Sequence, residues 1–199
     1  MFLLLTKYII LAIIQFVIDI FSYPLAPFVA LFCDKDGNLP KWLSLFQTYD
    51  NTCDGDDGYK EEHRFFPANA NGFQRWANRT GWLWRNPAYG FDMLLGASCQ
   101  VGDTLVISGD RATGDGPYHP GSCNWKLYRG TKLIAFQWYF VSDYNATKCL
   151  RVNAGWKLWN GEELTDMPAD KLGIATGSFT LKKSSTFQLV FTPGLNNKR

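Results

Sequence analysis

FLLLTKYIILAIIQFVIDIFSYPLAPFVALF, residues 2–32, is almost unbroken in apolar character; Lys7, Gln15, Asp19, Pro24 and Pro27 are its main interruptions. The reading of this stretch decides what kind of molecule follows. A helix over Phe2–Tyr23, at about 1.5 Å per residue, is long enough to cross a hydrocarbon layer of roughly 30 Å. Export with cleavage is disfavoured. Tyr8–Ile18 would serve as the apolar core of a signal peptide, but Asp19 follows it and Ser22-Tyr23-Pro24 offers no small-x-small cleavage site.

Asp19 argues against a lone span exposed to lipid on all sides, because an acid at mid-bilayer costs roughly 2.5–3.5 kcal/mol on insertion scales. At 100° per residue Gln15, Asp19 and Ser22 form one narrow polar stripe. The stripe is expected to meet something polar: another helix, another copy, or the middle of the chain. Pro24 and Pro27 predict the end of the helix, followed by a short apolar foot, Phe28–Phe32. A single span and an in-plane anchor therefore compete, with a buried helix of a soluble core as the plain alternative. Lys7 on one side and Lys35 and Lys41 on the other leave orientation open. The expected location is a host cell membrane, by one span or an in-plane anchor.

Beyond residue 32 the chain has room for one ordinary domain. The formal charge of +2 gives no global reason to expect nucleic acid. Five cysteines, Cys33, Cys53, Cys99, Cys123 and Cys149, are irregularly spaced without a C-x-x-C pair, so a zinc or thioredoxin-like motif is not indicated. Disulfides are compatible with export, but their pairing is not readable from sequence.

Three regions are expected: an apolar segment 1–32, a helical and loop region 33–98, and an antiparallel β domain 99–199. In the middle region Leu39–Gln47 predicts a short helix opened by Pro40. The window 50–62 then carries six acids against Lys60, a net −5 within a chain of net +2. Against the EF-hand loop, Asp50, Asp54, Gly55, Asp56 and Glu61 fall at positions 1, 5, 6, 7 and 12. Calcium or another divalent cation is the candidate ligand of Asp50, Asp54, Asp56 and Glu61. Thr52 at position 3 and Asp57 at position 8 depart from the pattern, and these departures favour an acidic turn on the surface over a cation site. His63 offers a nitrogen for a transition metal instead.

Residues 72–85, GFQRWANRTGWLWR, predict a helix ended before Pro87, with Arg75 and Arg79 one turn apart. Arg75, Trp76 and Arg79 join Gln15, Asp19 and Ser22 as candidate membrane or partner residues. Arginine interleaved with tryptophan suits a membrane–water boundary and also base stacking. The apolar anchor favours the membrane, and no nucleic acid is expected. The plainest reading, favoured over both, packs these tryptophans on the β domain.

Phe46-Gln47-Thr48-Tyr49-Asp50-Asn51, Asp54-Gly55-Asp56, Arg85-Asn86-Pro87-Ala88-Tyr89-Gly90-Phe91 and Gly155-Trp156-Lys157-Leu158, together with the proline-containing apolar start, carry a resemblance. The chain resembles a family of small uncharacterised proteins encoded by tailed bacteriophages and prophages. That resemblance implies an accessory or host-interaction protein, and it brings no catalytic residues with it.

From about Asp103 the apolar pattern changes to period two. Thr104–Ser108, Trp125–Tyr128, Lys132–Val141, Lys148–Trp159, Ser178–Leu181 and Thr186–Phe191 predict five or six antiparallel strands, as a meander, sandwich or small barrel. Arg129-Gly130 predicts a hairpin turn, Ser178–Leu181 and Thr186–Phe191 a second hairpin, and Asn196–Arg199 a frayed tail. The expected class is α+β. The glycine-rich loop 109–122 is long enough to suggest function.

No Ser/His/Asp or Cys/His set is supported by spacing, and the chain has only two histidines. The function expected is a membrane-anchored, non-enzymatic phage accessory protein that binds a host or phage partner, with self-association through the apolar helix as a further reading. The alternatives are a metal-assisted hydrolase using Asp50, Asp54, Asp56 and His63, and a virion or tail component.

Overall fold

Helix α1 runs from Phe2 to Ala30 and passes through both Pro24 and Pro27, so the expected stop near Tyr23 is corrected. Proline inside a helix removes one N–H and leaves the carbonyl four residues earlier without its donor. That carbonyl for Pro27 belongs to Tyr23, and the Trp84 indole N–H donates to it at 2.8 Å. Near the helix end, the Pro27 carbonyl accepts from Trp76 Nε1 at 2.7 Å. Two tryptophans thus satisfy carbonyls that the backbone of a proline-bearing helix end leaves open.

The computed structural model describes residues 2–67, 70–114, 118–145, 148–158, 177–181 and 186–197. The chain forms two units, Met1–Ala12 with Leu95–Arg199, and Ile13–Leu94.

In the unit Ile13–Leu94, a 3-10 helix covers Lys41–Phe46 after Pro40, and a π-helical turn covers Tyr59–His63. Helix α2, Gly72–Arg85, opens with a complete capping box between Asn71 and Gln74, which satisfies two backbone donors of its first turn. Helix α3 spans Tyr89–Leu95. The core gathers Ala26 and Val29 of α1, Leu43, Tyr59, and Trp82 and Leu83 of α2. The tryptophans of α2 therefore pack against the end of α1. Gly81, a weak spot for a helix by propensity, has a packing reason. A Cβ there would lie 2.5 Å from the Tyr59 hydroxyl and 2.7 Å from the Phe65 ring.

The other unit is a seven-stranded antiparallel open sheet, so the chain is α+β. The strands are β1 Ala97–Ser98, β2 Thr104–Gly109, β3 Gly121–Arg129, β4 Lys132–Asp143, β5 Lys148–Leu158, β6 Gly177–Thr180 and β7 Thr186–Asn197, in the order β1-β7-β5-β4-β3-β2-β6. The β3–β4 hairpin turns at Gly130, as the sequence predicts. The second predicted hairpin does not form: β6 pairs with β2, whereas β7 pairs with β5 and β1. Asn196 and Asn197 are paired with Cys149 and Lys148 rather than frayed. The last residue of the predicted strand Lys148–Trp159 and the tail residues Lys198 and Arg199 lie outside the described residues.

Leu105, Ile107, Leu127 and Ala135 are fully buried in the sheet core. From α1, Leu4, Tyr8 and Leu11 pack into the same core, with Tyr8 edge-on to Trp156 at 5.1 Å and its hydroxyl donating to the Val190 carbonyl. Along Lys148–Trp159 the sequence alternates, which places Leu150, Val152, Ala154, Trp156 and Leu158 on one expected face and Arg151, Asn153 and Lys157 on the other, and β5 departs from that pattern. Asn153 is fully buried, while Leu150 is 40% exposed. Asn153 Oδ1 accepts from the buried Gln137 Nε2 at 3.3 Å on the neighbouring strand, so an amide pair occupies an inward position that the pattern assigns to water. Strand β4 likewise has only one fully covered face, since Trp138 is 39% exposed.

Candidate functional site

Arg79 on α2 is the hub of the helical unit. Its Nε donates to Asp54 Oδ1 at 2.7 Å, and Nη2 donates to Asp54 Oδ2 at 3.2 Å. Nη1 donates to the Asp34 carbonyl at 2.8 Å and Nη2 to the Lys35 carbonyl at 3.3 Å. The rigid guanidinium fork thus ties a bidentate carboxylate and two backbone oxygens. Asp54 raises the pKa of the Arg79 guanidinium through this bond. The loop it grips is itself preorganised, because the Asp34 carboxylate accepts from the backbone N–H groups of Asn38 and Asp36 at 2.8 and 2.9 Å. Those bonds, led by that from Asn38, hold the Asp34 carboxyl below its usual range.

The same place brings two of the five cysteines together. Contact with Cys53 lowers the pKa of the Cys33 thiol, with the Arg79 charge adding to the effect. The reciprocal contact and burial raise that of Cys53. All five cysteines are free thiols.

Two adjoining cavities open here, of about 330 and 250 Å³. Lys35, Arg75 and Arg79 line both; Ala30, Leu31 and Trp76 belong to the first, and Lys60 and Arg64 to the second. Five basic side chains face two acids, Asp34 and Asp54. Of the residues singled out from sequence, Asp54, Arg75, Trp76 and Arg79 meet at this cleft. Lys35 and Arg64 were not singled out for it, and their only sequence signal is positive charge on either side of the acidic window.

The polar stripe on α1 is paired mainly with itself. Gln15 Nε2 donates to Asp19 Oδ1 at 2.7 Å, and Ser22 Oγ donates to the Asp19 carbonyl at 2.8 Å. Asp19 therefore has a polar partner on its own helix. Gln15 and Ser22 are buried.

The acidic quartet is divided. Asp54 is engaged by Arg79, Asp56 accepts from the Tyr59 N–H at 2.7 Å and caps the π-helical turn, and Asp50 and Glu61 are exposed. His63 lies 3.7 Å from Glu62. Among the described residues, no three or more His, Cys, Asp or Glu side chains gather as a metal site. In the glycine-rich loop, Asp110 and His119 are paired at 2.6 Å; residues 115–117 lie outside the described residues.

No curated protein and no solved structure matches the chain. The family comparison covers nearly all of it, across both units and the basic cleft. Residues 1–183 match the family of unknown function DUF7338, and the chain belongs to that family.

Proposed function

We propose that this chain is a non-enzymatic bacteriophage accessory protein that sits on a membrane through α1 and offers its folded units to a host or phage partner. The observation that carries the membrane reading is the outward face of α1. Phe2, Leu3, Ile13, Phe16, Phe21 and Phe28 are all exposed, and only 11% of the most apolar 18-residue window is buried. A helix in the core of a water-soluble protein hides such a surface, because each 100 Å² of exposed apolar area forgoes roughly 2.5 kcal/mol.

The packing of the first part of α1 favours an in-plane helix over a span. Leu4, Tyr8 and Leu11 pack in the sheet core. The hydrogen bond from Tyr8 to Val190 adds a topological argument. It requires an even number of crossings between those residues, and among the described residues only α1 is long and apolar enough to cross.

The test is flotation of the full-length protein with phosphatidylcholine vesicles, followed by depth quenching of labels at Leu3→Cys, Phe16→Cys and Phe28→Cys in a Cys33→Ser background. An in-plane helix places all three labels at one shallow depth. Protein that stays at the bottom of the gradient ends the membrane reading, and a deep label at 16 between shallow ones at 3 and 28 replaces it with a span.

A further inference from the structure

We propose that the basic cleft formed by Lys35, Arg64 and Arg75 binds the phosphate headgroup of an anionic lipid. The inference rests on the membrane reading above and deepens it by naming the lipid chemistry. Its starting point is an imbalance of partners. Arg79 is saturated by Asp54 and two carbonyls, and Lys60 pairs with Asp57 at 3.4 Å. Among the described residues, Lys35, Arg64 and Arg75 have no acidic partner within 4.0 Å. Like charges gathered around two adjoining cavities repel one another unless an anion enters.

The wall of the first cavity says which kind of anion. It includes Ala30 and Leu31, the last turn of the apolar helix and the residue after it. Leu31 and Phe32 are exposed there, Trp42 stands edge-on to Phe32 at 5.2 Å, and the exposed Phe73 lies 5.3 Å from Trp76 of the lining. Aromatic side chains beside a basic cleft match the boundary where headgroups meet acyl chains. A free phosphate uses the cations and ignores the apolar wall; a phospholipid uses both. Arginine forks suit phosphate oxygens, and Lys35 adds a point charge. Arg79 has the different task of holding the cleft's two loops in place, so it is left out of the variants below.

The experiment is flotation of the full-length protein with vesicles of phosphatidylcholine alone and with 30% phosphatidylglycerol, at fixed salt. Each basic residue near an anionic surface is worth about fivefold in binding, so three residues predict a preference for the anionic vesicles on the order of a hundredfold. The triple variant Lys35→Gln/Arg64→Gln/Arg75→Gln is expected to lose that preference and keep its binding to phosphatidylcholine. A control removing three basic residues elsewhere, Lys126→Gln/Lys132→Gln/Lys148→Gln, is expected to keep it. Single Arg75→Gln, at an exposed position, serves if the triple variant is misfolded by circular dichroism, with about a fivefold loss expected.

Equal binding of wild type to both vesicle types overturns the proposal while leaving the membrane reading intact. So does an equal loss in the control, which would mean diffuse surface charge. Tight calorimetric binding of inorganic phosphate with no lipid preference makes the cleft a free-phosphate site and also overturns it. Displacement of anionic vesicles by a single-stranded oligonucleotide, abolished by the triple variant, assigns the cleft to nucleic acid instead. Failure to bind any vesicle removes both readings together.

Discussion

Among the described residues each unit has a bidentate arginine–aspartate clamp, and the two are built in opposite senses. In the helical unit the arginine is the hidden member: the Arg79 side chain is 9% exposed and Asp54 is 40% exposed. In the sheet unit the acid is hidden, with Asp103 at 3% and Arg129 at 42%. Arg79 reaches across loops distant in sequence to bind carbonyls of Asp34 and Lys35. Asp103 closes a local turn by accepting the Gln100 N–H at 2.8 Å, while Arg129 bonds it at 2.9 and 2.8 Å. The lesson concerns what holds each unit. Ladders of backbone hydrogen bonds already order the sheet, so its clamp is an accessory. The helical unit has long irregular segments, and a buried cation supplies the order that a ladder supplies elsewhere.

The sharpest way to break this contrast is Asp54→Ala. Removing the exposed partner strands a buried guanidinium, with an expected loss of about 3–5 kcal/mol. Chemical unfolding of wild type and variant measures it, and a change below about 1 kcal/mol would show that Arg79 is not the organiser. Next in size is Gly155→Ala in the sheet. Gly155 has φ +120° and its Cβ would lie 2.0 Å from the Phe136 carbonyl oxygen, so backbone strain and overpacking together predict a loss of about 2–4 kcal/mol. Gly81→Ala in α2 collides only with the Tyr59 and Phe65 side-chain ends. Its overpacking cost is offset by about 1 kcal/mol of helix propensity, leaving about 0–2 kcal/mol. A reversal of the two glycine effects in thermal melts would mean that α2 tolerates less movement than the sheet.

Tyr59 sharpens the comparison from the alkaline side. Its hydroxyl donates to the Asn78 carbonyl at 2.6 Å, and burial pushes its pKa up to about 12. For a group raised in the fold, the stabilisation is complete below the ordinary tyrosine value near 10 and is lost as pH rises through about 12. Burial raises the Tyr8 hydroxyl as well, so ultraviolet titration should show late tyrosinate formation that Tyr59→Phe reduces, the lost part being the one tied to unfolding of the helical unit. The smallest effect is expected at the sheet clamp. The Arg129 guanidinium holds the Asp103 carboxyl below the usual carboxylate range, so this contribution is present above about pH 4 and is lost as pH falls through the depressed value. Arg129→Ala should flatten the acid limb of the thermal stability profile. An acid limb identical to wild type would remove Asp103 from the account.

Much of the fold was legible because periodicity records burial. The apolar run at 2–32, helix α2 and the β3–β4 hairpin all follow from local pattern. The misreadings share one cause, which is a partner distant in sequence. Pro24 and Pro27 read as a stop because the tryptophans at 76 and 84 that bond the end of that helix lie 49 and 61 residues from their acceptors. β6 and β7 read as a hairpin because adjacency in sequence says nothing of the strands at their other edges. Asn153 read as outward because its amide partner, Gln137, sits on another strand. At the candidate site, Arg75, Trp76 and Arg79 stood out by their spacing, whereas Lys35 and Arg64 did not. Charge alone does not mark which lysines and arginines are left without acids.

By itself the sequence determined the α+β class and the apolar N-terminal helix, since these depend on composition and short-range order. Only the tertiary structure decided which acids were taken by which arginines, which cysteines met, and how much of α1 was covered at each end. Those outcomes depend on burial and charge pairing between residues tens of positions apart, and chain folding alone brings such residues within a few ångströms.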